Sequence, residues 1–403
     1  MKCVSLLTKN HNTMKKPIIL FIFGSFVMSG YGYSGGTGEF CSPYEISSVT
    51  DLQTLMLTSA DWDKVFVLTS DLNVANIQAT PIGNANTRFS GLFFGNRKTI
   101  KNLRMSQSSI NSIGLFGSIS DSGKVSSLIL LNPRVTGKNI VGCLCGVNLG
   151  TISNCKIING ITDGNNNLGG LVGQNSGFIT NCTCDAKITS VLTGKHASRY
   201  GGFVGCNSDG TIIGCSSSCN IECLGVNVGG FCGLNYKNST IESCNCSGKI
   251  EAGSYVGGFC GYNKKSQINY SSAEVNSCAR QYVAGFIGIN DTSSVITNCI
   301  AFGYSYCDTA FATSGGFVAL NRMAMVNDCV ANGNSSAKKL VGGFVGACVG
   351  GTLTNCLAFG NYAGNSDIGP FIGSGKHGYS LVNCNGFGHE TPLVEECPPS
   401  NNN

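Results

Sequence analysis

Gly169-Gly170-Leu171-Val172-Gly173-Gln174-Asn175-Ser176-Gly177-Phe178-Ile179-Thr180-Asn181-Cys182 is the stretch whose reading decides the fold. The same phrase returns as Gly201-Gly202-Phe203-Val204-Gly205, Gly229-Gly230-Phe231-Cys232-Gly233 and Gly257-Gly258-Phe259-Cys260-Gly261. Later copies are Ala284-Gly285-Phe286-Ile287-Gly288, Gly315-Gly316-Phe317-Val318-Ala319, Gly342-Gly343-Phe344-Val345-Gly346 and Gly369-Pro370-Phe371-Ile372-Gly373. Taken at Gly114, Gly142, Gly170, Gly202, Gly230, Gly258, Gly285, Gly316 and Gly343, the steps are 28, 28, 32, 28, 28, 27, 31 and 27. A period near 28 sustained over most of a chain means stacked repeats. Each unit holds short apolar runs between Gly, Asn and Ser, such as Phe-Val after Gly-Gly and Thr151-Ile152-Ser153 before Asn154-Cys155. These read as strands, and no window between residues 110 and 390 keeps helical spacing. Such a unit cannot bury its own apolar face; identical units stacked on one another can.

The expectation is an all-β fold: a right-handed parallel β-helix (β-solenoid) of about ten coils, about 28 residues each, behind an N-terminal cap. At roughly 4.8 Å per coil the rod would be roughly 50 Å long. The Asn of Gly-x-Asn (Asn148, Asn175, Asn207, Asn235, Asn263, Asn290, Asn321) either takes the left-handed conformation of a turn or pairs side chain to side chain between coils. Phe203, Phe231, Phe259, Phe286, Phe317, Phe344 and Phe371 fall at one repeat position, as an inward column.

Residues 169–182 resemble the GLUG motif, and similar phrases cover roughly residues 110–390. That repeat is found in bacterial secreted and surface proteins, including adhesin-like proteins and immunoglobulin-cleaving peptidases. The family shares no catalytic residues, so the resemblance carries none onto this chain. Pro370 stands where the second Gly belongs and Ala347 where the Asn belongs, as in a frayed last coil. Residues 38–105 are similar to the leader that precedes such repeats, although Phe94-Gly95-Asn96-Arg97 lacks the leader's usual Asp and His. That segment reads as the cap over the first coil's open edge, with the one tryptophan, Trp62, packed inside it.

The domain reading is therefore upstream sequence and signal peptide at 1–34, cap and first coil at 35–109, repeat solenoid at 110–390 and a disordered tail at 391–403. Met14-Lys15-Lys16 followed by the apolar Pro17–Met28 and small residues reads as a secretory signal, with Met14 as the natural start. No membrane span is expected once it is removed, and the expected location is secreted or cell surface.

Charged residues make up only 12% of the chain and no basic run interleaves with aromatics, which argues against nucleic acid as a partner. The 23 cysteines are many for an exported protein. Cys155, Cys182, Cys215, Cys244, Cys299, Cys329, Cys356 and Cys384 share one site, which Ser271 fills once, and they read as a ladder of small buried side chains. Oxidation of neighbours is the alternative, with Cys219, Cys223, Cys246 and Cys278 nearest a surface. Cys143-Leu144-Cys145, Cys182-Thr183-Cys184 and Cys244-Asn245-Cys246 have the wrong spacing for a structural zinc site, so neither metal nor cofactor is expected.

Catalysis on such a fold would need clustered carboxylates, and the candidate pair is Glu222 and Glu251, stacked on adjacent coils with Asn276 next in their column and Lys187 and Lys249 nearby. The outward column Thr151, Phe178, Thr211, Thr240, Gln267, Val295, Met325, Thr352 is too mixed for an ice-binding face. Asn238-Ser239-Thr240, Asn245-Cys246-Ser247 and Asn290-Asp291-Thr292 are glycan acceptors in a host that glycosylates. The functional expectation is an exported, non-enzymatic, adhesin-like protein that offers a long, low-charge face to polysaccharide or to cell-surface glycans and proteins. The alternatives are a carbohydrate-active enzyme using Glu222 and Glu251, and a passive spacer.

Overall fold

A computed structural model describes residues 32–190, 198–307 and 309–393. The signal-peptide reading and most of the expected tail lie outside these residues. The described residues from Gly32 onward form one compact unit.

The short strands do what their spacing requires. Thr151–Ser153 pairs with Phe178–Thr180, which pairs with Thr211–Ile213, Thr240–Glu242, Gln267–Asn269 and onward, one coil per step and always parallel. The outward column Thr151 to Thr352 falls in register as the spacing predicts. The residue between its flanking positions points inward: Ile152, Ile179, Ile212, Ile241, Ile268 and Ile296 are fully buried. The described strands form two long parallel sheets. In each coil the strand before Gly-Gly and the strand after Asn-Cys lie in one sheet, and the strands before and after Gly-x-Asn lie in the other. The result is a parallel β-solenoid of about 11 turns at about 28 residues per turn, with little helix.

The turn count exceeds the expected ten because the leader already winds. Tyr44–Ile46, Val65–Leu68 and Leu92–Phe94 occupy successive rungs below Lys124–Ser126, and Leu72–Asn73 and Thr99–Lys101 do the same in the second sheet. These coils lack the Gly-Gly-Phe phrase but keep an inward Ile46, Phe66 and Phe93. Over them sits helix Val49–Leu57, started by a capping box in which Ser48 and Asp51 bond each other's backbone amides. Trp62 is buried and donates its indole N–H to the Leu55 carbonyl at 2.8 Å.

The Gly-Gly-Phe corner carries the chain from one sheet to the other. A Cβ at Gly202 would lie 2.2 Å from the Gly230 carbonyl oxygen, so a side chain cannot fit there. The adjoining phenylalanines stack: Phe203, Phe231, Phe259, Phe286, Phe317, Phe344 and Phe371 lie with centroids 4.6 to 5.0 Å apart and planes within 12°. Pairing also corrects the phase of the early copies. Gly142 lies opposite Gly169, so Gly114 and Gly142 hold the first glycine position rather than the second. At the far end Pro370 follows Gly369, whose carbonyl accepts the Gly343 amide, and proline's missing N–H leaves that bond intact.

The two roles open to asparagine are split between two columns. The left-handed corner belongs to the Asn before Cys: Asn154, Asn181, Asn298, Asn355 and Asn383 have φ of 52–54°. The Asn of Gly-x-Asn forms a buried side-chain ladder instead. Each Nδ2 donates to the next Oδ1, from Asn148 through Asn175, Asn207, Asn235, Asn263 and Asn290 to Asn321, at 2.8–3.0 Å. Cys348, not Ala347, takes the next rung and accepts from Asn321. Asn290 is wholly buried in this ladder, so it is closed to a glycan unless the coil opens.

Asn235→Ala removes two rungs of the ladder: the buried Asn263 Oδ1 loses its donor, and Asn207 Nδ2 loses one of its two acceptors, keeping the Gly210 carbonyl at 3.1 Å; the cost should be about 2–3 kcal/mol. Asn148→Ala removes one rung only and orphans nothing, because Asn148 Oδ1 has no partner below it and Asn175 Oδ1 keeps the Gly177 amide at 3.3 Å, and should cost under half as much. Denaturant unfolding of the two variants measures the difference.

Candidate functional site

The cysteine column is more than a set of small apolar groups. The amide of Cys155 donates to Cys182 Sγ at 3.3 Å, and Cys182, Cys215 and Cys299 repeat the bond to Cys215, Cys244 and Cys329 at 3.4 Å. Each thiol in turn donates to the carbonyl two residues earlier, as Cys182 does to Thr180 at 3.2 Å. Ser271 fits the column because its hydroxyl makes both bonds: it accepts from the Cys244 amide at 3.2 Å and donates to Asn269 at 2.8 Å. Cys155 through Cys356 are buried and free, and Cys384, at the last coil, is half-buried. Of the four cysteines placed nearest a surface, Cys219, Cys223 and Cys246 are free and Cys278 is disulfide-bonded. Burial pushes the thiols of Cys143, Cys219 and Cys223 up to about 12 and drives Cys244 and Cys329 well above the ordinary range. These are protonated, inert groups. Among the described residues no cluster of three or more His, Cys, Asp or Glu is arranged to hold a metal. Alkylation of the native protein should therefore label Cys384 before any other member of its column, and Cys155 through Cys356 only after denaturant is added; mass spectrometry of timed samples reads the order.

Glu222 and Glu251 are cross-strand neighbours on adjacent coils. The residue next in their column is Cys278, not Asn276, which pairs instead with Lys249. Glu222 lies 3.9 Å from Lys187, and Glu251 is paired with Lys249. Their side chains are 70% and 46% exposed. A carboxylate with a cation beside it and open water around it lacks the enclosed site that acid–base work needs.

A second charged cluster was not singled out by the spacing. Asp291 is 2% exposed and accepts from Arg322 through Nε at 2.8 Å and Nη2 at 2.7 Å, from Thr292 at 2.8 Å, and from the Tyr262 hydroxyl. Burial opposes its ionisation, but the bonds from Arg322, Tyr262 and Thr292 outweigh it and hold the carboxyl well below the usual carboxylate range. The cluster ties three successive coils through Tyr262, Asp291 and Arg322, and its chemistry is a clamp. The unfolded carboxyl titrates near 4. Because the folded group titrates lower, its stabilisation is complete above that value and is lost as pH falls through the folded one. Asp291→Asn should flatten the decline in stability below pH ~4 and cost about 2 kcal/mol at neutral pH, less than a fully buried pair because Arg322 is 42% exposed. Thermal unfolding across pH checks both.

The third feature is a trough on the outer face of the sheet that follows Asn-Cys. Three and five residues after each column cysteine, two side chains face outward: Asp185 and Lys187, Ser218 and Asn220, Ser247 and Lys249, Glu274 and Asn276, Phe302 and Tyr304, Asn332 and Asn334. The residue between each pair turns into the floor, and it is small at Ala186, Cys219, Gly248, Gly303 and Gly333. A Cβ at Gly303 would lie 1.8 Å from the Val275 carbonyl oxygen, and one at Gly333 1.7 Å from that of Gly303, so the backbone itself closes the floor. There the sheet kinks: the continuous strand Ser272–Ala279 is matched by two pieces, Ile300–Ala301 and Ser305–Cys307. Two concavities of about 500 and 850 Å³ share Ser218, Cys219 and Asn220, and so form one trough from Asn102 to Asn334. Its earlier coils add Asn102, Asn132 and Asn159 on one lip and Arg104 and Arg134 on the other. Side-chain bonds hold the lips: Asn102 donates to Asn73 at 3.0 Å and Asn159 to Asn132 at 3.3 Å, while Asn276 and Asn334 accept the amides of Tyr304 and Asn361 at 3.1 and 2.8 Å. Glu222 and Glu251 stand outside the trough.

The GLUG motif is matched over residues 164–189. A stretch of 126 residues, 29% of this chain, is 36% identical to halomucin of Haloquadratum walsbyi (strain DSM 16790 / HBSQ001), and it spans 1% of that protein's length. The solved structure of a "putative immunoglobulin A1 protease" from Bacteroides ovatus is similar over 71% of this chain and 80% of its own, at 19% identity and a TM-score of 0.45; no activity is carried over from it. The chain carries the GLUG motif on a parallel β-solenoid rich in cysteine.

Proposed function

We propose that this chain is an exported, non-enzymatic binding protein, adhesin-like, that presents its solenoid surface to glycans or cell-surface partners outside the cell. The observation that carries this reading is the trough: the same two outward positions recur coil after coil, so the surface offers many weak contacts at regular intervals in a line. Contacts of that kind sum when a partner is itself a repeating polymer. Asn, Ser and a few charged side chains line it, groups that exchange hydrogen bonds with hydroxyl-rich surfaces without a large desolvation cost. The basic Met14–Lys16 followed by an apolar stretch supports export. The enzyme reading is weaker, because Glu222 and Glu251 are exposed and lysine-paired.

The test uses the chain from residue 35 on a panel of plant, microbial and host polysaccharides and on whole cells, with retention and newly released sugar ends read from the same wells. Retention without release, unchanged in Glu222→Gln and Glu251→Gln, is the expected result. Release that vanishes in either variant would make it an enzyme, and silence in both channels on every surface would leave only a spacer.

A further inference from the structure

We infer that the trough is the binding site and that its ligand is an acidic polysaccharide, laid as an extended chain along the solenoid axis; this deepens the binding reading and rests on it. The trough has two chemically distinct ends. In its first coils Arg104 and Arg134 stand exposed on one lip, followed in the same column by Ile161, Lys187, Asn220 and Lys249. The lip opposite the two arginines carries Asn102, Asn132 and Asn159, which are neutral donors and acceptors. Arg104 and Arg134 make no salt bridge among the described residues, whereas Lys187 and Lys249 are neutralised by Glu222 and Glu251. Two guanidinium groups one coil apart are thus open to anions, and a guanidinium fork fits a carboxylate or sulfate edge-on.

At the other end the lip turns aromatic at Phe302, and beyond Asn334, where the trough ends, the same column continues as Phe359 and Phe387. Phe302, Phe359 and Phe387 are 45%, 49% and 54% exposed. Each follows an alanine (Ala301, Ala358) or glycine (Gly386) of the kinked sheet, with Asn332 between the first two in the column. Phe359 and Phe387 lie ring over ring at 5.3 Å. Large apolar side chains left outward in a line mark a contact surface, since each would otherwise gain by burial. Phe359 and Phe387 cover each other's facing sides, so the apolar C–H groups of pyranose rings meet their exposed edges and the ring of Phe302, and the neighbouring Asn334 and Asn361 suit ring hydroxyls.

Spacing joins the two ends. One coil advances the trough by roughly 4.8 Å, about the length of one sugar unit, so a polymer lying along the axis meets the same pair of positions at every residue. Single-stranded nucleic acid also combines cations with stacking, but its phosphate at every unit would need cations throughout. Here the aromatic coils carry no Lys or Arg in the two lip columns, and Asp185 and Glu274 stand between the two ends. A sugar polymer bearing acid groups on some of its units meets both.

The experiment measures binding of the chain from residue 35 to polygalacturonate, dextran and a single-stranded oligonucleotide, between low and high salt. The variants are Arg104→Gln with Arg134→Gln, Phe302→Ala with Phe359→Ala, and Lys237→Ala as an off-trough control, with thermal melts to establish that each folds. Polygalacturonate should bind more tightly than the other two. The double arginine variant should lose about tenfold at low salt together with much of the salt dependence, the double phenylalanine variant a similar factor at every salt, and Lys237→Ala nothing. Glycan retention that neither double variant weakens would overturn this site and leave the binding reading standing. Dextran or oligonucleotide bound as tightly as polygalacturonate would overturn the acidic-glycan assignment, and loss of retention on all surfaces would remove both readings.

Discussion

Everything in this molecule follows from one constraint: each coil is hydrogen-bonded in parallel register to the next, so every side-chain position is copied upward at the spacing of two strands. The seven stacked phenylalanines measure it directly, with ring centroids 4.6 to 5.0 Å apart. At that distance a repeated charge repels itself, a repeated ring stacks, and a repeated amide pairs. The chain's low charge content and its columns of Phe, Asn and Cys are consequences of the same rise.

The columns divide the labour of closing the coil. Asparagine in Gly-x-Asn satisfies itself through its neighbours, which lets a polar side chain be wholly buried at each turn. Cysteine after the left-handed corner accepts an amide from one coil and donates to a carbonyl in its own, and Ser271 shows that the position asks for a small group able to do both. This column of cysteines therefore reflects corner geometry, and burial shields all of its members but Cys384 from solvent. Where the pattern admits a buried charge, at Asp291, an arginine one coil up and a tyrosine one coil down complete it.

Outside, the rule is looser, and there the coils differ. Lip positions of the trough change from arginine and asparagine to phenylalanine along the axis, because outward side chains meet solvent and only the floor must stay small. Variation on a repeating frame is how a solenoid acquires a particular ligand.

The repeat period alone determined the parallel solenoid, the inward phenylalanine column, the cysteine column and the pairing of Glu222 with Glu251, since a fixed period forces equivalent residues into register. It misplaced Asn276 and Ala347 by one or two residues, although no change of coil length intervenes: Cys278 stands seven residues after Ser271 as Glu222 and Glu251 do after Cys215 and Cys244, and Cys348 stands two after Gly346 as Asn321 does after Ala319, so the phrase already carries the register that the pairing shows. It left open which asparagine turns the corner and which forms the ladder; both are Asn beside small residues, and backbone φ separates them. It placed only one coil in the leader, whose further rungs were hidden, as Phe66 and Phe93 do the packing without the repeat phrase. The trough was written at the third and fifth residues after each cysteine, yet those positions share no residue type. Only the tertiary structure decided that they form one concave line, because concavity comes from where the floor backbone closes on the carbonyls of the coil below.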